Sequence, residues 1–356
     1  MSETALLLTA GRLGEVHGKT AHGLIRGPSR FDLVGAVDPK FAGRDAGEVV
    51  DGKHRGLPIY ATLDEALEAL GQHPDWLVVG VAFHGGRMPE EVRQTILSGV
   101  RRGIGVVNGL HQLLSEDPEV AAAAEASGAR IVDVRKPKKF EGLRFWTGEA
   151  LTLTVPRVAV LGTDCALGKR TTATFLSSAL RERGISTELV YTGQTGWLQG
   201  QRYGFVLDTT PNDFVSGELE HAVVTCAREA KPDLILIEGQ SALRNPCGPC
   251  GAELILSAGA KGVVLVHAPG RDLFEGIEET ESRIPTLASE VELIQRFYGA
   301  EVLGIALNGE GLDADALADA AGRIEAELSL PVSRPLFDGG APLAPALERY
   351  ARGGKR

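Results

Sequence analysis

Residues 156–172, PRVAVLGTDCALGKRTT, contain a short apolar run that breaks into a turn bounded by two glycines and then into a helical pattern. Gly162 and Gly168 lack a Cβ, so the backbone N–H groups between them can curl around an anion. Lys169 adds a positive charge, and the helix that follows directs the positive end of its dipole to the same point. The pattern predicts a phosphate-binding loop in an α/β sheet.

This loop departs from the most common P-loop in two ways. Five residues separate the glycines instead of four, and Arg170 stands where a Ser or Thr that binds Mg²⁺ normally follows the lysine. Its Gly-Thr-Asp opening resembles the variant loops of dethiobiotin synthetase and related P-loop proteins. An ordinary strand–turn–helix with a chance Gly-Lys is the alternative. The predicted cofactor-binding residues are Gly162, Thr163, Asp164, Gly168, Lys169, Arg170, Thr171 and Thr172.

The composition limits the class of protein and of partner. With 356 residues and 43% hydrophobic content, the chain can bury more than one core, so we expect a globular protein of two domains. A net charge of −10 repels nucleic acid and acidic membranes, so we expect neither as a partner. Four cysteines do not make a disulfide framework in a chain of this length, and no basic, apolar leader begins it. We therefore expect a cytoplasmic protein.

Short apolar runs alternate with helical patterns along the whole chain, which is typical of α/β layers around a mostly parallel sheet. A charged, proline-bearing stretch at 135–149 separates two such series and is interpreted as a linker. We predict a Rossmann-like N-terminal domain over 1–150 and a P-loop NTPase-like domain over 151–356. The predicted strands are 5–8, 33–37, 76–81, 104–107, 131–134, 158–161, 188–191, 234–237, 262–266 and 302–306, and predicted helices in the first half are 63–70, 89–101 and 118–126.

The glycine fingerprint of the first series is incomplete. Gly11 and Gly14 follow the first predicted strand, and Asp38 ends the second, where an acid can bind a ribose. Without the third glycine, a plain strand–helix turn is the favoured interpretation and dinucleotide binding the alternative.

Two titratable side chains follow apolar strands of the second series. Glu238 ends the run 234–237, where a parallel sheet presents its ligand crevice, and its carboxylate could hold Mg²⁺ or act as a general base. His267 ends the run 262–266 and is the second candidate base. The alternatives are a polar strand end for Glu238 and a hydrogen-bonded core edge for His267.

Other polar features of the sequence are explained without a catalytic or metal-binding role. Asn212 or Asp213 is a good N-cap for a helix that runs to about residue 230, with Asp213 and Glu218 near its start. Cys247 and Cys250 have metal or redox spacing, but no second pair of that kind accompanies them. We therefore predict no metal site.

Several strings in order along the chain resemble a two-domain bacterial P-loop family, long of unknown function, whose characterised activity is D-glutamate N-acetyltransferase. Besides the P-loop they are 18–26 (GKTAHGLIR), 109–111 (GLH), 133–137 (DVRKP), 192–196 (TGQTG), 213–217 (DFVSG), 238–240 (EGQ) and 267–271 (HAPGR). The segment 241–250, SALRNPCGPC, replaces a Ser/His-rich segment expected in the family.

The resemblance implies an acyltransferase that moves an acetyl group from acetyl-CoA to the amine of an acidic amino acid, D-glutamate. Glu238 and His267 are then the candidate catalytic residues, and cations must hold the two carboxylates of the acceptor. For any one of these cations, a solvated surface charge is the alternative. The predicted substrate-binding residues are Lys19, Arg26, His111, Arg135, Gln194 and Arg271.

Two other functions remain open from the sequence. One is an ATP-dependent P-loop ligase or kinase, with Thr171 and Glu238 on Mg²⁺ and Lys169 on the phosphates of ATP. The other is a nucleotide-binding regulator without catalysis. In each case the partner is a small molecule, and homo-oligomerisation is left open.

Overall fold

The computed structural model describes residues 3–83 and 87–353, which divide by their contacts into two compact units. Unit 1 comprises the described residues up to Pro137 together with Gln194–Gly200. Unit 2 comprises Lys138–Gly193 and the described residues from Gln201 onward. Within the described part of the chain, every helix is too short or too polar to cross a bilayer.

Unit 1 is built on a parallel sheet of six strands in the order β3-β2-β1-β4-β5-β6. This is the strand order of a Rossmann fold, so the predicted Rossmann-like domain is confirmed. The strands are β1 Thr4–Leu8, β2 Asp32–Val37, β3 Ile59–Tyr60, β4 Trp76–Val79, β5 Gly105–Asn108 and β6 Ile131–Asp133.

Helices of unit 1 begin and end where the sequence supplies capping residues. For example, the Thr62 side chain accepts a hydrogen bond from the Glu65 N–H at one end of α3, and Gly71 adopts φ 64° at the other. The predicted helix 63–70 is confirmed at both ends. The helices preceding unit 2 are α1 Lys19–Arg26, α2 Ala46–Asp51, α3 Leu63–Leu70, α4 Glu90–Arg101 and α5 Pro118–Ser127.

Unit 2 contains a parallel sheet of seven strands in the order β13-β12-β11-β7-β10-β8-β9. The predicted P-loop domain with a mostly parallel sheet is thus confirmed. Its strands are β7 Arg157–Gly162, β8 Thr187–Tyr191, β9 Tyr203–Gly204, β10 Leu234–Glu238, β11 Gly262–His267, β12 Glu301–Leu307 and β13 Val332–Ser333.

The remaining helices all lie in unit 2 except α7, which belongs to the segment assigned to unit 1. They are α6 Lys169–Glu182, α7 Gln194–Leu198, α8 Asn212–Glu229, α9 Ala252–Leu256, α10 Leu287–Tyr298, α11 Ala314–Leu328, α12 Pro335–Asp338 and α13 Ala344–Gly353. Short 3₁₀ turns span Val16–Gly18, Leu114–Glu116, Phe140–Gly142, Glu149–Thr152, Leu207–Thr209 and Glu278–Thr280.

Helices cover both faces of the unit 2 sheet. Every residue of β7 is buried, because alternate side chains enter two different hydrophobic clusters. Ala159 and Leu161 pack with residues of α8, α10 and α11, whereas Val158 and Val160 pack with residues of α6 and α13. A strand buried on both faces appears in the sequence as a continuous apolar run, which is why β7 could be predicted.

The boundary between the units differs from the one predicted near residue 150. Residues 138–150 belong to unit 2, where buried carboxylates of α8 bind their backbone. Glu218 accepts a hydrogen bond from the Arg144 N–H at 3.1 Å, and Glu220 accepts from Thr147 and Ala150. From Lys138 onward, the stretch interpreted as a linker is therefore part of unit 2 and packs against α8.

The start of α8 corrects a second prediction. Pro211 is the N-cap and no side chain caps the helix, so neither Asn212 nor Asp213 serves as the predicted cap. Glu218 lies in the buried interior of the helix and is not close to its start. Proline at this position gives the extended backbone that a cap needs without any side-chain acceptor.

Candidate functional site

The predicted P-loop connects β7 to α6 at the carboxyl edge of the unit 2 sheet. Gly168 is the N-cap of α6, with φ 85°, and no side chain caps the first N–H groups of the helix. A Cβ at Gly162 would lie 3.0 Å from Nζ of Lys169, so glycine leaves room for the lysine. The loop thus presents uncapped N–H donors beside a buried ammonium group, which is the arrangement that binds phosphate.

Lys169 is held inside the loop by main-chain carbonyls. Its Nζ donates to the carbonyl oxygens of Asp164 at 2.6 Å and Ser241 at 2.8 Å. Burial lowers the pKa of Lys169 to about 8. An ammonium group has three N–H donors, so one remains for an anion, and an anion there would restore the preference for the charged form.

Asp164 stabilises the loop through its fully buried carboxylate. The carboxylate accepts hydrogen bonds from Nδ2 of Asn245 at 2.8 Å, Nη1 of Arg271 at 2.9 Å and the Glu275 N–H at 2.9 Å. Arg271 also pairs with Glu310. Both Asp164 and Arg271, predicted to bind ligand, therefore have protein partners that shape the loop.

Glu238 lies beside the loop because β10 is the neighbour of β7 in the sheet. Its Oε2 accepts a hydrogen bond from the Thr192 N–H at 3.2 Å, and its Oε1 lies 3.5 Å from Nη1 of Arg170. Burial raises the pKa of Glu238, and the positive charge of Arg170 opposes this shift. The side chain is therefore a buried carboxylate whose nearest charged partner is the first-turn arginine of α6.

His267 lies at the end of β11, the neighbour of β7 on its other side. Its Nδ1 is 2.9 Å from Oγ1 of Thr163, a buried residue of the loop. Burial lowers the pKa of His267 to about 4, so the imidazole is neutral at pH 7. Glu238 and His267 thus flank the loop from the two strands adjacent to β7.

Thr171 and Thr172 occupy the first turn of α6. Thr172 is buried and its N–H donates to the Gly168 carbonyl, whereas Thr171 is half-buried. Of the two hydroxyls, that of Thr171 is the less enclosed. The structure thus brings all predicted cofactor-binding residues and both candidate bases to one edge of unit 2.

The predicted substrate-binding residues other than Arg271 belong to unit 1. Lys19 begins α1 and is exposed, and His111 is exposed after β5. Arg26 donates to the Val50 carbonyl at 2.8 Å and lies 3.4 Å from Asp51. Arg135 donates to the Gly109 carbonyl. Gln194 is half-buried against Gly109, and its buried Oε1 accepts no hydrogen bond within the described residues.

The first βα turn of unit 1 agrees with the plain strand–helix interpretation. Asp38 is fully buried, and its carboxylate accepts hydrogen bonds from Oγ1 of Thr9 and the backbone N–H groups of Leu13 and Lys40. Phe41 fills the space beside Gly14. The acid that would bind a ribose is therefore bound by its own loop.

Comparison with known proteins decides the family. Residues 144–344 match the model described as Domain of unknown function (DUF1611_C) P-loop domain, and residues 39–137 match Domain of unknown function (DUF1611_N) Rossmann-like domain. The chain belongs to the DUF1611 family. A crystal structure of a DUF1611 family protein from Anabaena variabilis ATCC 29413 is similar, with a TM-score of 0.88 at 31% identity, covering 98% of this chain and 99% of that one.

Two curated relatives of this DUF1611 protein bear the name D-glutamate N-acetyltransferase. The one from Tritonibacter scottomollicae is 30% identical over 299 residues, which cover 80% of this chain and 84% of the relative. The one from Pseudoalteromonas sp is 28% identical over 269 residues, covering 74% and 78%. These matches confirm the family resemblance inferred from the sequence.

Three polar residues that support the DUF1611 site were not predicted. Oγ1 of Thr192 donates to the Glu238 carbonyl at 2.8 Å and accepts from Nε2 of Gln240 at 3.0 Å. Ser241 adopts φ 42° and turns its carbonyl to Lys169. Thr192 and Gln240 lie in strings that carried the family resemblance, so the signal was present but had no assigned role.

The cysteines of the segment 241–250 agree with a structural role. Cys247 is exposed, whereas Sγ of Cys250 lies 2.7 Å from Oε1 of Glu253. Burial and this carboxylate raise the pKa of Cys250, so the thiol stays protonated. Among the described residues, no group of three or more His, Cys, Asp or Glu side chains is placed to hold a metal ion.

Proposed function

We propose that this DUF1611 protein transfers the acetyl group of acetyl-CoA to the amine of an acidic amino acid, D-glutamate. Two relatives that bear the name of that activity align with about three quarters or more of the chain. The P-loop supplies N–H donors and Lys169 for the phosphates of CoA. The four free cysteines agree with a cytoplasmic, reducing location, which we include in the proposal.

The observation that carries this proposal is the ion pair between Arg170 and Glu238. In P-loop enzymes that cleave nucleoside triphosphates, a hydroxyl after the lysine and a nearby carboxylate hold Mg²⁺. Here a guanidinium stands after the lysine and lies 3.5 Å from the carboxylate. Arg170 therefore supplies a permanent cation beside this carboxylate, which supports phosphate binding over phosphoryl transfer. CoA has phosphates to bind but none to transfer, so a fixed cation is sufficient.

The amine of the acceptor must lose a proton before it attacks the thioester. Glu238, with its raised pKa, is our first candidate for the base, and the neutral His267 is the second. The N–C bond then forms as the C–S bond breaks, the second proton lost by the nitrogen passes to the CoA thiolate, and the base releases the first proton to water. The two carboxylates of the acceptor require cations, a role that stays a prediction for the substrate-binding residues inferred from the sequence.

Phosphate binding and base catalysis involve different ends of acetyl-CoA. The pantetheine arm separates the thioester of acetyl-CoA from its diphosphate. Glu238 lies beside the loop, so it can act as the base only if the arm folds back toward the P-loop. Separate variants therefore test the two roles, Lys169→Met for phosphate binding and Glu238→Gln for base catalysis.

The proposal is tested by mixing the protein, pretreated with EDTA, with acetyl-CoA and D-glutamate. We expect release of free CoA thiol and formation of N-acetylglutamate at the same rate with and without EDTA, because no phosphoryl group is transferred. L-glutamate in a parallel reaction measures stereochemical preference. A reaction with ATP, Mg²⁺ and D-glutamate tests the alternative function of a ligase or kinase. If turnover strictly requires Mg²⁺ and forms ADP, the proposed acetyltransferase activity is wrong and a ligase or kinase activity takes its place.

A further inference from the structure

A cleft lies at the edge of the unit 2 sheet opposite the P-loop. It is lined by segments that precede β7, β11 and β13, by the first residues of β12 and by α13. In a parallel sheet these segments all meet at the amino edge of the strands. The cleft has a volume of about 640 Å³, within the range of small-molecule sites.

The charge of this cleft is opposite to that of the whole protein. Arg157, Lys261 and Arg349 line it together with a single acid, Glu301, although the chain as a whole carries a net charge of −10. Lys261 and Arg349 are exposed, and neither forms an ion pair with any described residue. The cleft is thus a local concentration of positive charge with unpaired cations.

Arg157 is a buried cation without a carboxylate partner among the described residues. Its Nε donates to the Gly259 carbonyl at 3.1 Å, and its Nη1 donates to the carbonyls of Leu153 and Val155. A guanidinium has five N–H donors, and Nη2 donates no hydrogen bond within the described part of the chain. Burial lowers the pKa of Arg157, and an anion at Nη2 would favour the charged form of this side chain.

Two glycines keep space for the polar side chains of the cleft. A Cβ at Gly259 would lie 3.0 Å from Nη2 of Arg157, and a Cβ at Gly262 would lie 3.0 Å from Cζ of Tyr350. Oη of Tyr350 donates to the Arg157 carbonyl at 3.3 Å. Burial raises the pKa of Tyr350 to about 12, so the phenol stays neutral and adds no negative charge.

We propose that this cleft binds a small organic anion. A carboxylate or a phosphate ester would accept hydrogen bonds from Nη2 of Arg157 and pair with Lys261 and Arg349. The apolar body of the ligand would lie against the neighbouring side chains of Leu153, Val155 and Pro331. Because the cleft and the P-loop lie at opposite edges of one sheet, this site is separate from the proposed acetyl transfer site.

The experiment is isothermal titration of the full chain at pH 7 with hexanoate and with hexyl phosphate, which distinguish the two head groups. Acetate and inorganic phosphate, which lack the apolar body, are the weaker-binding comparisons. We expect saturable binding of at least one hexyl compound, weakened about tenfold or more in Lys261→Ala/Arg349→Ala. Both substitutions are at exposed positions, and an unchanged melting temperature without ligand verifies folding.

Two controls locate the binding. Arg323→Ala removes an exposed arginine elsewhere in unit 2 and should leave the affinity unchanged. Lys169→Ala should also retain binding, since loss in that variant would place the ligand at the P-loop. The proposal is overturned if neither hexyl compound binds more tightly than chloride does in a titration with sodium chloride. It is also overturned if the Lys261/Arg349 double variant binds the hexyl compounds as tightly as the parent does.

Discussion

Lys169 has two functions in the P-loop, one structural and one in ligand binding. Its ammonium group satisfies the carbonyls of Asp164 and Ser241, and it adds positive charge beside the uncapped N–H groups of α6. The same side chain therefore positions the segment after β10 and attracts phosphate.

We predict that Lys169→Met weakens CoA binding by about 1.5–3 kcal/mol, the range for a hydrogen bond to a charged group. Calorimetric titration with CoA measures this, and circular dichroism verifies the fold. Lys139→Met, at an exposed position in the same unit, is the matched control. Equal affinity in Lys169→Met and the parent would remove the lysine from the binding site.

The two candidate bases are distinguished by Glu238→Gln and His267→Gln. Loss of a general base typically lowers the rate by about 10²–10⁴-fold, and we expect the larger loss at Glu238. In the parent, the acid limb of kcat/KM should then lie above pH 4.5, because burial raises the pKa of Glu238 and the base must be deprotonated. A large loss in His267→Gln alone would reverse the assignment.

At the scale of elements, the pairing of β7 with β10 brings Glu238 to the loop. The strands approach closely where β10 ends, since a Cβ at Gly239 would lie 2.3 Å from the Val160 carbonyl oxygen. Backbone atoms cannot move aside as a flexible side chain can. Glycine at this position is therefore a requirement of the strand pair.

Gly239→Ala should lower the free energy of unfolding by about 1–3 kcal/mol, the usual cost of overpacking, and should weaken CoA binding because the strands must separate. Urea denaturation measures the first effect. Gly322→Ala is the control, since Gly322 lies in the interior of α11 with no atom within 4 Å of its Cβ position. This control should be neutral or stabilising by about 0.5–1 kcal/mol. Equal stability of the two variants would contradict the steric argument.

Regular elements were predictable to different degrees. The long apolar strands and α3 were predicted from apolar runs and a helical pattern, with ends within one or two residues of the observed ones. The strands β3, β9 and β13 were not predicted, because two residues carry no periodic signal. These strands form only by pairing with a neighbour already in place.

At the scale of the whole molecule, His267 makes stability depend on pH. Its folded-state pKa of about 4 lies below the ordinary 6.5, so it is neutral in both states above pH 6.5. As the pH falls from 6.5 toward 4, only the unfolded chain binds the proton, and the free energy of unfolding decreases. At pH 5 this loss amounts to about 2 kcal/mol.

His267→Gln should therefore gain about 2 kcal/mol relative to the parent when the pH is lowered from 7.5 to 5. Urea denaturation of both proteins at the two pH values provides the comparison. His73→Gln, at an exposed position in unit 1, serves as the control. A constant difference between His267→Gln and the parent would show that the imidazole is not buried in the folded protein.

Local pattern was sufficient to predict the P-loop, the two α/β series, the Rossmann-like and P-loop domains and the carboxylate at the end of β10. Each of these depends on glycine placement, apolar runs or a strand end, which neighbouring residues along the chain determine. The partners of the site side chains depend instead on strand order. Arg271 meets Asp164 and Arg170 meets Glu238 only because β11 and β10 flank β7. The assignment of 138–150 to unit 2 likewise depends on buried carboxylates of α8, which are distant in sequence and close only in the folded chain.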